Sequence, residues 1–156
     1  GDLRGCIGRP RAEQPLIEAI REAAIGAATN DPRFPPLAPD ELPDVTVSVS
    51  ALTPPTELSP VDPEPIVIGR DGLIVTRGNR SGLLLPQVAV DRDWDAQTFL
   101  SETARKAGLP SEAWRDETKT VKRFSAQVFA ETSPNGEVTL DDFTRGGDSD
   151  GDEPTD

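Results

Sequence analysis

Cys6 is the only cysteine in this 156-residue chain and its strongest candidate nucleophile. It stands in the stretch Leu3-Arg4-Gly5-Cys6-Ile7-Gly8. The apolar Leu3 and Ile7 read as a strand, and glycines at 5 and 8 leave room for close approach of another backbone. On an ideal strand Arg4 projects to the same side as Cys6, where its charge would favour the thiolate. The chain has no histidine, so any general base would have to be a carboxylate or water. Arg4, Gly5, Cys6 and Gly8 form a candidate site, with Cys6 in the catalytic role. The competing reading is a small buried hydrophobe, the usual state of a free cysteine.

Other polar clusters have simpler explanations. Gly69-Arg70-Asp71-Gly72 reads as a hairpin turn. A phosphate cradle there would need a helix N-terminus to follow, and a strand pattern follows instead. Ser81, Gly82 and Gln87 flank an apolar segment and serve equally as turn or core residues. Asp91, Asp93 and Asp95 alternate in a way that could hold a hard cation, although a solvated loop with one helix cap accounts for them. Asp148-Ser149-Asp150-Gly151-Asp152 resembles a calcium loop only faintly. Its glycine is misplaced and no downstream Glu stands at the required spacing.

Composition removes whole classes of chemistry. Without His and with a single Cys, there is no Ser-His-Asp triad, no His-ligated metal and no internal disulfide. The 28 acidic residues against 16 basic ones give a net charge of −12. Such a surface repels phosphate backbones and anionic lipid at low salt, so nucleic acid is an unlikely partner by charge and RNA binding is the weakest reading. Lys106, Lys119 and Lys122 are the only lysines. Abundant carboxylates with few lysines suit a halophilic protein, because at ~1 M salt the Debye length falls to ~3 Å and carboxylate repulsion is screened. No apolar run is long enough to span a membrane. The first residue is Gly1 and methionine is absent throughout, which suggests a processed or truncated chain.

The elements that must position these residues follow from periodicity. Apolar residues at helical spacing predict a helix over 15–29, with Pro15 in its first position, Leu16, Ile20, Ala23, Ala24 and Ala27 facing inward and Asn30 as C-cap. Residues 31–36 form a Pro-rich extended loop. The alternation over 45–51 predicts a strand with Val45, Val47, Val49 and Ala51 on one face. Residues 66–68 and 73–76 read as strands joined by the 69–72 turn. A second turn over 78–82 leads to a short strand at 83–85, stopped by Pro86. Asp95 caps a helix over 96–107 with Phe99, Leu100, Thr103, Ala104 and Ala107 inward and Gly108 at its end. One further helical turn is expected at 111–114. A long strand over 120–131 places Phe124, Ala126 and Val128 on one face, and Pro134-Asn135-Gly136 turns it back into 138–143. These elements make an α+β fold, mostly antiparallel sheet with flanking helices. The folded domain is expected over 1–144, followed by a disordered acidic tail over 145–156.

Several words of the sequence resemble a known family. They are the segment 3–8, Asp-Pro-Arg-Phe-Pro-Pro-Leu at 31–37, Val-Ser-Ala-Leu-Thr-Pro-Pro at 49–55, Gly-Arg-Asp-Gly-Leu-Ile-Val at 69–75, Ser-Gly-Leu-Leu-Leu-Pro-Gln-Val-Ala at 81–89, Trp94-Asp95, and Lys-Ala-Gly-Leu-Pro at 106–110. Together they resemble the AMMECR-one domain family, whose prokaryotic members are called AmmeMemoRadiSam system protein A. The resemblance implies a larger and a smaller lobe with the Cys6 segment near a cleft, in cytoplasmic microbial proteins. It implies a Memo-like protein and a radical SAM protein as partners, no known cofactor or metal, and no settled reaction. From the matching words, Arg33, Ser81 and Gln87 join Arg4, Gly5, Cys6 and Gly8 as candidate site residues. Family members usually carry a substantial segment before the Cys6 word. Many carry Cys where Ala104 stands, so a two-thiol mechanism is not available here. Two functions follow as alternatives: a partner module of the Memo-like and radical SAM proteins, or a small-molecule enzyme component using Cys6 and Arg4.

Overall fold

The computed structural model describes residues 2–141. The acidic segment proposed above as a tail and calcium-loop look-alike lies outside them. In chain order the elements are helix α1 (Leu16–Thr29), strands β1 (Ser48–Leu52), β2 (Thr56–Glu57), β3 (Asp71–Arg77) and β4 (Arg80–Leu84), helices α2 (Pro86–Asp91) and α3 (Ala96–Lys106), and strands β5 (Thr120–Glu131) and β6 (Val138–Asp141). Short 3-10 turns occupy Leu42–Asp44 and Ser111–Arg115. The strands form one six-stranded sheet in the order β1-β5-β3-β4, with β2 and β6 also pairing with β5. The pairs β2/β5, β3/β4, β3/β5 and β5/β6 are antiparallel. This is the α+β architecture expected from the sequence.

The chain divides into two compact units. One holds residues 1–52 and 127–141, and the other runs from Thr53 to Ala126. The second unit has the hydrophobic core. Leu73, Val75, Phe99, Leu100, Ala104 and Val121 are fully buried there, with Leu109, Ala113 and Trp114 nearly so. The cause is visible in α3. Asp95 Oδ1 accepts from the Thr98 N–H at 2.7 Å, which satisfies one unpaired donor of the first turn, and Phe99, Leu100, Thr103 and Ala104 recur at helical spacing on the buried side. Thr103 is tolerated in that core because its hydroxyl donates to the Phe99 carbonyl at 2.7 Å. Gly82 lets β4 lie against the end of α3, since a Cβ there would fall 2.4 Å from the Ala107 nitrogen. On β5, Val121 is paired with Val75 in the cluster that α3 covers. Phe124 and Val128 are buried with the opposite parity, and the Phe124 ring lies over Gly72.

Four sequence expectations differ from the structure. Residues 3–8 form no strand; bonds from Arg4 and the Cys6 N–H to Asp31, Pro35 and Glu41 hold them instead. Residues 66–68 enter a turn rather than a strand. The Val67 N–H donates to the Asp71 carboxylate at 2.9 Å, and that local bond replaces a ladder partner. The hairpin is therefore β3–β4, closed by Gly78 at φ 61° and Asn79. Pro86 does not merely stop a strand. It opens α2, where its missing N–H costs nothing. Pro15 likewise caps α1 from outside rather than starting it.

The first unit is built differently. Helix α1 has no fully buried residue; of its expected inward face, Ile20, Ala23 and Ala27 are half-buried, whereas Leu16 and Ala24 are exposed. Leu16 is 61% exposed and Ile17 73%. On the β1 side, Val47 is exposed and precedes the strand, and its N–H is held by the Glu131 carboxylate at 2.9 Å. Because the two units draw on different forces, core truncations should act unequally. Phe99→Ala is expected to cost about 3–5 kcal/mol in urea unfolding, whereas Ile17→Ala should stay within about 0.5 kcal/mol.

Candidate functional site

The Cys6 segment is held by one buried carboxylate. Asp31 follows the C-cap of α1 and is 4% exposed. It accepts from the Cys6 N–H at 2.8 Å, the Arg33 N–H at 3.0 Å, Arg33 Nε at 3.0 Å and Arg33 Nη2 at 2.7 Å. The Arg33 N–H bond closes an Asx-type turn two residues on, and the fork of its guanidinium completes a bidentate pair. These bonds hold the Asp31 carboxyl far below the usual Asp range. The Arg33 side chain contributes most, then the Arg33 and Cys6 backbone N–H groups, against the opposing effect of burial.

A second pair fixes Arg4. Its Nε and Nη2 donate to the two carboxylate oxygens of Glu41, both at 2.9 Å, and its Nη1 donates to the Pro35 carbonyl at 2.9 Å. Glu41 also accepts from the Ala38 N–H at 2.8 Å. Bonding to Arg4 first, and to Ala38 second, brings the Glu41 carboxyl down to about 2. All three guanidinium nitrogens of Arg4 are thus engaged within the protein.

Cys6 itself is exposed, so the buried-hydrophobe reading does not apply. Only its backbone is tied down, and its thiol faces solvent. The cation whose charge couples to Cys6 is Arg33. Its pKa is raised from the ordinary arginine value, chiefly by the bond to Asp31. The Arg33 side chain remains 56% exposed, and its guanidinium lies 5.5 Å from the Phe34 ring centroid.

The two glycines play different parts. A Cβ on Gly5 would fall 2.0 Å from the Ala27 carbonyl oxygen of α1, so only glycine lets the segment lie along that helix. Gly8 has no neighbour within 4 Å of such a Cβ. The other two candidates belong to the second unit. Ser81 is exposed, with its hydroxyl 3.1 Å from that of Thr76 across the β3–β4 pair. Gln87, in the first turn of α2, buries its Oε1 without a partner. The structure therefore gathers Arg4, Gly5, Cys6 and Arg33 around two carboxylates that sequence reasoning missed, Asp31 and Glu41. The Asx signature of Asp31 before Pro32-Arg33 was the signal available for one of them. Nothing local marks Glu41, which stands 37 residues from Arg4.

The sequence profile of the AMMECR1 family matches residues 1–129. The chain belongs to the AMMECR1 family. A protein of Methanothermobacter thermautotrophicus is 57% identical over 135 residues, a match covering 84% of this chain and 70% of the relative. Protein MJ0810 of Methanocaldococcus jannaschii is 51% identical over 141 residues, covering 88% of this chain and 70% of that protein. The crystal structure of the uncharacterized protein PH0010 from Pyrococcus horikoshii superposes with a TM-score of 0.83 at 47% identity, covering 89% of this chain and 70% of that one. Among the described residues, no helix is long and apolar enough to cross a membrane.

The glycine contrast gives a direct check on this AMMECR1 chain. Gly5→Ala should lift the Cys6 segment from α1 and speed tryptic cleavage after Arg4, while Gly8→Ala leaves the digestion pattern unchanged. The carboxylates set the pH dependence. Both have folded pKa values below their ordinary ones. Their contribution to stability is therefore complete above the ordinary Glu value of 4.5 and is lost as the pH falls toward about 2. Acid unfolding followed by circular dichroism should show that loss, with a flatter profile in Asp31→Asn.

Proposed function

We propose that this AMMECR1 chain is a non-catalytic partner module, and that its partner is the Memo-like or radical SAM protein suggested by the family resemblance, in the cytoplasm. One observation carries the reading. Helix α1 leaves Leu16, Ile17 and Ile25 largely exposed, and it lies directly beside the Cys6 segment through Gly5 and Ala27. Large exposed apolar surface of this kind marks interaction sites in soluble proteins. The rigidly held backbone of Cys6 would give a partner a preformed edge to recognise, with little ordering cost on binding.

The chemistry around Cys6 supports the same reading. A nucleophilic thiol works with a base that can take its proton. Asp31, the carboxylate bonded to the Cys6 backbone, already accepts four hydrogen bonds and is held ionised by them, which makes it a poor proton acceptor. Capture from a native high-salt lysate tests the reading. The wild-type chain should retain a Memo-like or radical SAM protein, and Ile17→Glu should retain far less while keeping its circular dichroism spectrum. Failure to retain either protein, or equal retention by the variant, ends it.

The exposed Cys6 and its coupling to Arg33 favour a second reading, a small-molecule enzyme component using Cys6, with Arg33 rather than Arg4 as the free cation. Iodoacetamide should then label Cys6 in the native chain, several-fold more slowly in Arg33→Ala. A thiol that reacts only after denaturation overturns it. Separately, we propose that the excess of acid over base reflects adaptation to concentrated salt. The melting temperature should rise between dilute buffer and molar KCl, where carboxylate repulsion is screened, and a flat response argues against the adaptation.

A further inference from the structure

We infer that the open sheet face built by β1, the end of β5 and β6 docks one amphipathic helix of a protein partner, with lysine or arginine beside its apolar stripe. Register assembles this face. Phe129 is the cross-strand partner of Leu140, and Glu131 that of Val138. On the other side of β5, the Glu131 N–H donates to the Val47 carbonyl and the Thr53 N–H to the Ser125 carbonyl, a register that sets Val49 opposite Phe129. Directly opposed residues share a sheet face. One row across the three strands is therefore Val49, Phe129 and Leu140, and the next is Val47, Glu131 and Val138.

The face is bare. Val138 and Leu140 are 59% and 55% exposed, and Val47 and Phe129 are exposed as well, whereas Val128, of opposite parity on β5, is buried. An antiparallel sheet with one solvated face ordinarily shows polar residues there. Aligned apolar rows on the outside instead mark an interaction surface. Size and charge choose the occupant. Three strands about 4.8 Å apart make a row about 10 Å wide, which matches the ~10–12 Å diameter of a single helix. Such a helix would lay apolar residues at i, i+3, i+4 and i+7 along the rows. Residues 45–52 and 127–141 include Glu131, Glu137 and Asp141 but no lysine or arginine. Glu131 stands within the second row, and its carboxylate holds the Val47 N–H at 2.9 Å. A second copy would set these acids against themselves and add a second net charge of −12. A helix flanked by cations complements them. The inference does not rest on the α1 surface, and its test separates the two.

The test is an NMR titration of the full chain with two synthetic helical peptides of identical apolar pattern, one Leu/Lys and one Leu/Glu. The Leu/Lys peptide should give saturable shifts confined to the backbone amides of 47–52 and 127–141, and the Leu/Glu peptide should give none. Leu140→Ser changes no charge and should weaken binding about tenfold with an unchanged circular dichroism spectrum. Glu131→Gln should weaken it several-fold, and Ile17→Glu, on α1, should leave it unaltered. Shifts scattered over the whole acidic surface, equal binding of the two peptides, or full affinity in Leu140→Ser overturn the inference. Sedimentation equilibrium of the chain alone should show a monomer. A dimer that Leu140→Ser dissociates would assign the face to a second copy and overturn the helix reading.

Discussion

The Asp31 carboxylate is the interaction on which the first unit depends. It gathers backbone N–H groups from two chain segments, at Cys6 and Arg33, together with the Arg33 guanidinium. A carboxylate this shielded would be strongly unfavourable without donors on its lone pairs. With them, it becomes a fixed point that ties residue 6 to the loop following α1. The Arg4–Glu41 pair repeats the pattern nearer the surface, with the two side chains 28% and 40% exposed. Salt screens that outer pair more than the inner one. In concentrated salt the position of Cys6 therefore rests mainly on Asp31, with Arg4 as a secondary tie.

The two units illustrate two ways of holding a chain. From Thr53 to Ala126, burial dominates. Three strands and α3 enclose Leu73, Val75, Phe99, Leu100 and Val121, and polar groups inside, such as Thr103, are satisfied locally. Among the described residues of the first unit the only buried aliphatic side chain is Val128, while Leu3, Leu16, Ile17, Ile25, Val138 and Leu140 are exposed. Ion pairs and loop hydrogen bonds replace the missing core. Such bonds fix geometry well but contribute little net free energy each. The first unit is accordingly held by directional bonds, and the second by burial.

The elements that were legible in the sequence are those whose signals are local and mutually consistent. Asp95 as cap, the apolar spacing of Phe99, Leu100, Thr103 and Ala104, and Gly108 at φ 71° all agree on α3. The span of β5, Thr120–Glu131, is likewise the one its β-branched and alternating residues predict. The failures share one physical cause, namely that the deciding partner is distant or is a side chain. The period of α1 is clear, but period says nothing about whether a core exists to receive it. Leu3-Arg4-Gly5-Cys6-Ile7 looks like a strand because of its apolar Leu3 and Ile7, yet the Cys6 N–H goes to Asp31 rather than to a ladder. Asp71 converts the apparent strand at 66–68 into a turn by capturing the Val67 N–H. For the site, the candidate word was visible through its unusual residues, whereas the carboxylates that hold it lie 25 and 37 positions away.

The same network constrains what Cys6 can do. Reactivity in a thiol comes from a nearby cation or base, and selectivity comes from a shaped recess around it. Here Arg33 shares the Asp31 carboxylate with the Cys6 N–H, and that carboxylate is saturated with donors and unsuited to accept a proton. Arg4, which the strand geometry placed beside the sulfur, spends its whole guanidinium on Glu41 and Pro35. The arrangement fixes the backbone of Cys6 and leaves the residue exposed. A partner meeting this edge would contact the thiol, the outer side of Arg33 and the Phe34 ring it stacks on. Such a mix of aromatic, arginine and apolar surface is what protein interfaces concentrate at their centres.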